Sequence, residues 1–139
     1  MASVDDVVLP DPKERKPTVL IVEDEALVRM SLSDFLQECG FKVLEAASAD
    51  TAIRVFQATS AIIDVVLTDV RMPGSMDGFG LAQWVRENRP GIPVLLASAD
   101  SRKADAATDL CEKIIDKPFD FHFVLARIRQ VIEAAKTKS

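Results

Sequence analysis

The sequence predicts an α/β fold on a parallel sheet, and three observations predict it. Short continuous apolar runs, Val19-Leu20-Ile21-Val22, Val65-Val66-Leu67 and Val94-Leu95-Leu96-Ala97, have the length and residue types of strands covered on both faces. Between them the apolar residues change to helical spacing. Strand and helix signals alternate five times along the chain, the pattern of strands joined by crossover helices rather than by hairpins.

Residues 1–17 hold Pro10, Pro12 and Pro17 among mixed charges and read as an N-terminal tail. The domain is expected over residues 18–135, with 136–139 as a C-terminal tail. After the first apolar run, Val28, Leu32, Phe35, Leu36 and Cys39 share one helical face, and Gly40 is a stop signal. Residues 42–46 form the second strand. Ser48 can cap a helix whose apolar face is Ala49, Ala52, Ile53 and Phe56. The third strand ends at Thr68-Asp69. A loop marked by Pro73, Gly74 and Gly78 leads into a helix carrying Leu81, Trp84 and Val85, which Arg89-Pro90-Gly91 ends. The fourth strand is followed by a small Ala-rich polar helix over residues 102–110 and a short fifth strand over 113–116. A last amphipathic helix carries Val124, Ile128, Val131 and Ala135.

The chain has 139 residues, 48% hydrophobic and 28% charged, with a net charge of −5. That is the composition of one globular domain with a real core and no space for a second. The acidic balance argues against nucleic-acid binding, which needs a basic face. No apolar run approaches the ~20 residues of a membrane span, and the N-terminus lacks the apolar core of a signal peptide. A cytoplasmic location is therefore expected, with neither nucleic acid nor membrane as partner. Cys39 and Cys111 read as free, buried thiols. With His122 as the one histidine, they are too few for a four-ligand structural zinc site. His122 itself reads as an exposed residue in the first turn of the last helix.

Function in an open parallel sheet gathers at the carboxyl ends of the strands. The residues directly after the apolar runs are Glu23-Asp24-Glu25, then Asp69, then Ser98, then Lys117 with Pro118. Each alone has an ordinary structural explanation, since acids and serines at strand ends often cap helices and a lone lysine is usually a solvated one. Together they have a chemical logic. Clustered carboxylates need an offsetting charge, and Mg²⁺ suits one or two carboxylates plus waters and phosphate oxygens. A carboxylate such as Asp69 can attack phosphorus to give an acyl phosphate, with a lysine and a hydroxyl stabilising the transferring group.

Four stretches carry a family resemblance: Val19-Leu20-Ile21-Val22-Glu23-Asp24-Glu25, Leu67-Thr68-Asp69-Val70-Arg71-Met72-Pro73-Gly74, Pro93-Val94-Leu95-Leu96-Ala97-Ser98-Ala99 and Asp116-Lys117-Pro118-Phe119. The spacings are in register as well, with 45 residues from Asp24 to Asp69, 29 from Asp69 to Ser98 and 19 from Ser98 to Lys117. In these features residues 18–135 resemble a stand-alone bacterial response-regulator receiver domain of the chemotaxis-regulator kind. The resemblance implies a flavodoxin-like, doubly wound five-stranded parallel sheet of order 2-1-3-4-5 with helices on both faces. It implies that Asp69 accepts a phosphoryl group and that Glu23, Asp24, Asp69 and the backbone carbonyl of Arg71 hold Mg²⁺ (or Mn²⁺). Ser98 then occupies the switch hydroxyl position, Lys117 contacts the phosphoryl group, and the peptide bond from Lys117 to Pro118 is expected to be cis. Arg71 and Asp100 take positions that tune phosphoryl lifetime, and a salt bridge between them over the site is expected to slow water attack.

Three features depart from the family pattern. Ile114 stands at the switch position where an aromatic ring is usual. The segment from Ser98 to Lys117 is a few residues short, which thins the Ala-rich helix. The loop from Met72 to Gly78 is one residue longer than is common in the family. Three functions compete. The first is two-component signalling, with phosphoryl taken from a histidine kinase or phosphotransfer protein and passed on by contact with a downstream protein, with no attached output domain. On that reading the protein is no enzyme beyond catalysing its own phosphorylation and dephosphorylation. The second is an atypical receiver acting as a constitutive interaction module or phosphate sink. The third is a nucleotide-binding protein or hydrolase, against which stand the lack of a Gly-rich loop after the first strand and of an acid two residues beyond Asp69.

Overall fold

The computed structural model describes residues 15–60, 62–99 and 113–137. Five parallel strands, β1 (Thr18–Val22), β2 (Lys42–Ala46), β3 (Val65–Asp69), β4 (Val94–Ser98) and β5 (Lys113–Asp116), form one sheet in the order β2-β1-β3-β4-β5. The described helices are α1 (Ala26–Glu38), α2 (Ala49–Ala58), α3 (Gly78–Asn88) and, last in the chain, α4 (Phe121–Thr137). The strand order implied by the resemblance is the one observed.

Alternation along the strands explains the two helical layers. Side chains on a strand point to opposite faces in turn, so Val19 and Ile21 of β1 and Val65 and Leu67 of β3 face one way. They meet Leu32 and Leu36 of α1 and Val124, Ile128 and Val131 of α4 in one core. Leu20, Val22 and Val66 face the other way, against Ala49, Ala52 and Phe56 of α2 and Leu81, Ala82 and Val85 of α3. Every residue of β1, β3 and β4 is buried, as expected of strands covered on both faces, whereas edge strand β2 is half open. Burying a large aliphatic side chain contributes roughly 1.5–3 kcal/mol, so these two layers supply the bulk of the folding drive.

Local signals set the element ends. The Ser48 hydroxyl accepts the Thr51 N–H and caps α2, as its position predicts. Asp77 does the same for α3, accepting the Gly80 N–H at 2.9 Å. Gly40, at φ 99°, takes the left-handed turn that follows α1. The free thiol of Cys39 is half-buried against the α1–α4 core rather than fully buried, because it sits at the open C-terminal end of α1. His122 is exposed, with its ring edge-on to Phe35 at 5.2 Å. Upstream of β1, Arg15 makes a bidentate pair with Asp64 at 2.6 and 3.0 Å. No helix among the described residues is long and apolar enough to cross a membrane. The Ala-rich helix expected over residues 102–110, Cys111 and Asp100 lie outside the described residues.

Candidate functional site

The sheet register brings the expected residues to one edge. Val22 pairs with Thr68, Asp69 with Ala97, and Ser98 with Asp116, so β1, β3, β4 and β5 end nearly flush. Glu23 leaves β1 with its N–H on the Ala46 carbonyl at 3.0 Å. Its own carbonyl is held by the Arg29 guanidinium at 2.8 Å, and Arg29 also pairs with Glu45 at 3.1 Å. The Val70 N–H bonds to the Ala97 carbonyl and the Lys117 N–H to the Ser98 carbonyl, at 3.0 and 2.9 Å. Backbone pairing therefore brings Glu23, Asp69, Ser98 and Lys117 to one edge.

The side chains converge as the sequence predicts. Carboxylate oxygens of Glu23, Asp24 and Asp69 lie within 4.8 Å of one another. Glu23 and Asp69 are 4% and 5% exposed, while Asp24 faces solvent. The Lys117 ammonium reaches over both buried acids, at 2.6 Å from Asp69 Oδ1 and 3.2 Å from Glu23 Oε2. Ser98 is buried at the end of β4. With Asp69, Val70, Arg71, Ala97, Ala99 and Lys117 it lines a cleft of about 270 Å³. The Lys117–Pro118 peptide is cis, as the resemblance implies. Arg71 is exposed on the rim. Its expected partner Asp100 is outside the described residues, as is the side chain of Ile114, whose backbone pairs with Leu96.

One lysine faces two buried carboxylates, and the electrostatics follow from that count. Burial pushes the Asp69 carboxyl up, the Glu23 carboxyl adds to the rise, and Lys117 opposes it, leaving Asp69 at about 8. Glu23 ends below its ordinary value, because hydrogen bonds with Asp69 and Glu25 and the charge of Lys117 outweigh its burial. The two carboxyls titrate as a coupled pair. Glu23 also accepts a backbone N–H, from Glu25 at 3.1 Å, which favours its charged form. Lys117 is raised: burial lowers it, but Asp69 and Glu23 together more than compensate.

Two contributors escaped the sequence reading. Arg29 fixes the turn that carries Glu23, from a helix position that reads as a surface charge. Gly78 reads as a loop marker but is the first residue of α3, buried against the end of β3. Its N–H donates to the Val70 carbonyl at 2.8 Å. The available signal was its place directly after the capping acid Asp77, where a buried first turn has to come close to its neighbour.

Fold and site together define a class: a doubly wound α/β domain with an acidic, lysine-bearing cleft at the carboxyl edge of its sheet. The chain belongs to the response regulator receiver domain family, whose model matches residues 19–129. Receiver domains are the parts of two-component systems that kinases phosphorylate on an aspartate. Over 118 residues the chain is 31% identical to the autoinducer 1 sensor kinase/phosphatase LuxN of Vibrio harveyi, covering 85% of this chain and 13% of that protein. Over 122 residues it is 34% identical to the probable transcriptional regulator ycf27 of Guillardia theta, covering 86% of this chain and 46% of that one. The chain thus spans less than half the length of either relative. Among solved structures it is similar to the response regulator TrrA of Thermotoga maritima in complex with Mg²⁺ and beryllium fluoride, with a TM-score of 0.74, 26% identity, and coverage of 83% of this chain and 98% of that one.

Proposed function

We propose that Asp69 accepts a phosphoryl group from a histidine kinase or phosphotransfer protein, in a reaction that requires Mg²⁺ (or Mn²⁺), and that the modified domain signals through contact with a downstream protein. The observation that carries this reading is the pairing of a buried Asp69 with Glu23, Asp24 and a single lysine at the mouth of the cleft. Three acids against one cation leave an excess of negative charge that a hard divalent ion fits, through Glu23, Asp24, Asp69 and the Arg71 carbonyl. Bound there, the ion supplies positive charge to the oxygens of the transferring group. The similarity to TrrA, whose structure contains Mg²⁺ and beryllium fluoride, supports the same assignment.

The remaining steps belong to the chain's own residues. A carboxylate oxygen of Asp69 forms the new O–P bond as the P–N bond to the donor histidine breaks, and the electron pair leaves with the histidine nitrogen. Lys117, already 2.6 Å from Asp69, offsets charge on the phosphoryl oxygens. The Ser98 hydroxyl, at the end of β4, donates to one of those oxygens. Arg71 on the rim restricts water and sets the lifetime of the acyl phosphate. The added charge pulls Ser98 and Lys117 inward and shifts the population of conformations that a partner reads. The domain of residues 18–135 acts in the cytoplasm on this reading and turns over no separate substrate.

The test compares the wild type with Asp69→Asn in acetyl phosphate and Mg²⁺, read by intact-mass spectrometry. A single phosphoryl adduct is expected on the wild type alone, and EDTA abolishes it. An adduct that survives in Asp69→Asn, or none in either protein, would exclude the assignment.

A further inference from the structure

We propose that Gly78 is a positioning residue for the metal site, holding the Asp69–Arg71 backbone in place by having no side chain. The proposal rests on the Mg²⁺-dependent reading given above.

Gly78 does not stand where it does for its torsion angles. The positive-φ glycines are Gly40, Gly74 and Gly91, and Gly78 is not among them. What it needs is space. A Cβ built on Gly78 would overlap the Asp69 carbonyl oxygen, and would lie 2.8 Å from Val70 Cα and 2.9 Å from the Asp69 carbonyl carbon. All three are backbone atoms of the strand end that presents the proposed phosphoacceptor. Carbon contacts settle near 3.5–4.0 Å, so an alanine methyl would force a displacement of about 1 Å.

Neither side has room to give. Val70 is 5% exposed, and both its backbone groups are engaged, the N–H with Ala97 at 3.0 Å and the carbonyl with Gly78 at 2.8 Å. On the other side, α3 is anchored by Leu81, Ala82 and Val85 in the core and by its Asp77 cap. The strain therefore falls on Asp69 and on Arg71, one residue beyond Val70. Mg²⁺ demands near-ideal octahedral geometry and tolerates such misplacement poorly.

Gly80 supplies the control. It lies in the same first turn of α3, and a Cβ there meets only side chains: Met76, at 2.7 Å from Cγ, which can swing away, and the capping Asp77 Oδ1 at 3.6 Å, an ordinary contact. Both substitutions gain the same helix propensity. They differ in whether the new methyl strikes backbone at the metal site.

The experiment measures Mg²⁺ affinity by titration calorimetry for wild type, Gly78→Ala and Gly80→Ala, each below its thermal transition. Gly78→Ala is expected to bind Mg²⁺ at least roughly tenfold more weakly, with Gly80→Ala unchanged. A merely structural glycine would lower the melting temperature and leave the affinity of the folded protein alone. Equal affinities in wild type and Gly78→Ala overturn the inference, whereas no Asp69-dependent Mg²⁺ binding by the wild type overturns the functional reading beneath it. Should Gly78→Ala fail to fold, hydrogen exchange on the wild type decides. Coupling between sites is reciprocal, so Mg²⁺ must slow exchange of the Gly78 amide more than that of the Gly80 amide. Equal slowing of the two amides counts against the proposal.

Discussion

A carboxylate meets a cation at 2.6 Å at both ends of the sheet, and the two pairs do opposite things. At the amino edge, Asp64 takes two hydrogen bonds from Arg15 and a third, at 2.7 Å, from the Thr18 N–H. Every charge there has a partner, and the Arg15 guanidinium is held above its ordinary pKa, chiefly by its hydrogen bond to Asp64. At the carboxyl edge, Lys117 is divided between Asp69 and Glu23, both more deeply buried than Asp64. One cation cannot compensate two buried carboxylates, so Asp69 is pushed up while its neighbour stays charged. The first pair fastens the chain upstream of β1. The second leaves the cluster of Glu23, Asp24 and Asp69 with one lysine between two of its members, a set compatible with a metal ion.

The comparison is broken most severely by removing the divided cation. Lys117→Ala should slow phosphoryl incorporation from acetyl phosphate by about 100-fold, the cost of losing one charge-stabilising donor in a phosphoryl-transfer site. Mg²⁺ affinity should rise in the same variant, because the ion no longer competes with the ammonium for Asp69 and Glu23. A parallel fall in both quantities, by stopped-flow and calorimetry, would show that Lys117 only supports the fold.

A smaller effect is expected from the proton on Asp69. Its folded pKa of about 8 lies above the ordinary value of 3.8, so between those limits the folded protein holds more protons than the unfolded one. Stability in EDTA should therefore fall as pH rises from 5.5 to 8.5. Asp69→Asn should flatten that slope and exceed the wild type at pH 8.5 by about 1–3 kcal/mol in urea unfolding. An unchanged slope in Asp69→Asn would assign the pH dependence to another group.

Much of this was legible in the sequence, for identifiable reasons. The buried runs of β1, β3 and β4 read as strands because full burial leaves no polar residue to interrupt them. The strand-end rule then found Glu23, Asp69, Ser98 and Lys117 without knowledge of distances. The Ser48 cap was legible because capping is local chemistry. The neighbour order of the strands was not, since alternation of elements does not rank them, and it came from the resemblance. Neither was the sign of the Asp69 shift, which depends on how one lysine is shared between two acids in space. The Arg15–Asp64 pair joins residues 49 positions apart with no pattern to link them. Gly78 was hidden for a related reason: a glycine kept for the space it leaves looks the same in sequence as one kept for a turn.

The amino-edge pair offers the smallest effect and the cleanest contrast. Asp64→Asn keeps the shape of the side chain but removes its charge and replaces one acceptor by a donor, which then faces either Arg15 or the Thr18 N–H. The expected loss is about 1 kcal/mol in urea unfolding, the scale of a single hydrogen bond left poorly matched. Because the Arg15 side chain is 38% exposed, part of the pair's strength is electrostatic and open to solvent. The difference between Asp64→Asn and wild type should therefore shrink in 1 M salt, where charges are screened over about 3 Å. Mg²⁺ affinity should not move, since Asp64 and the acidic cluster lie at opposite ends of β3. A change in Mg²⁺ affinity with Asp64→Asn would mean that the two edges are coupled through β1 and β3. The division of labour between a fastening pair and a functional pair would then give way to a single electrostatic system.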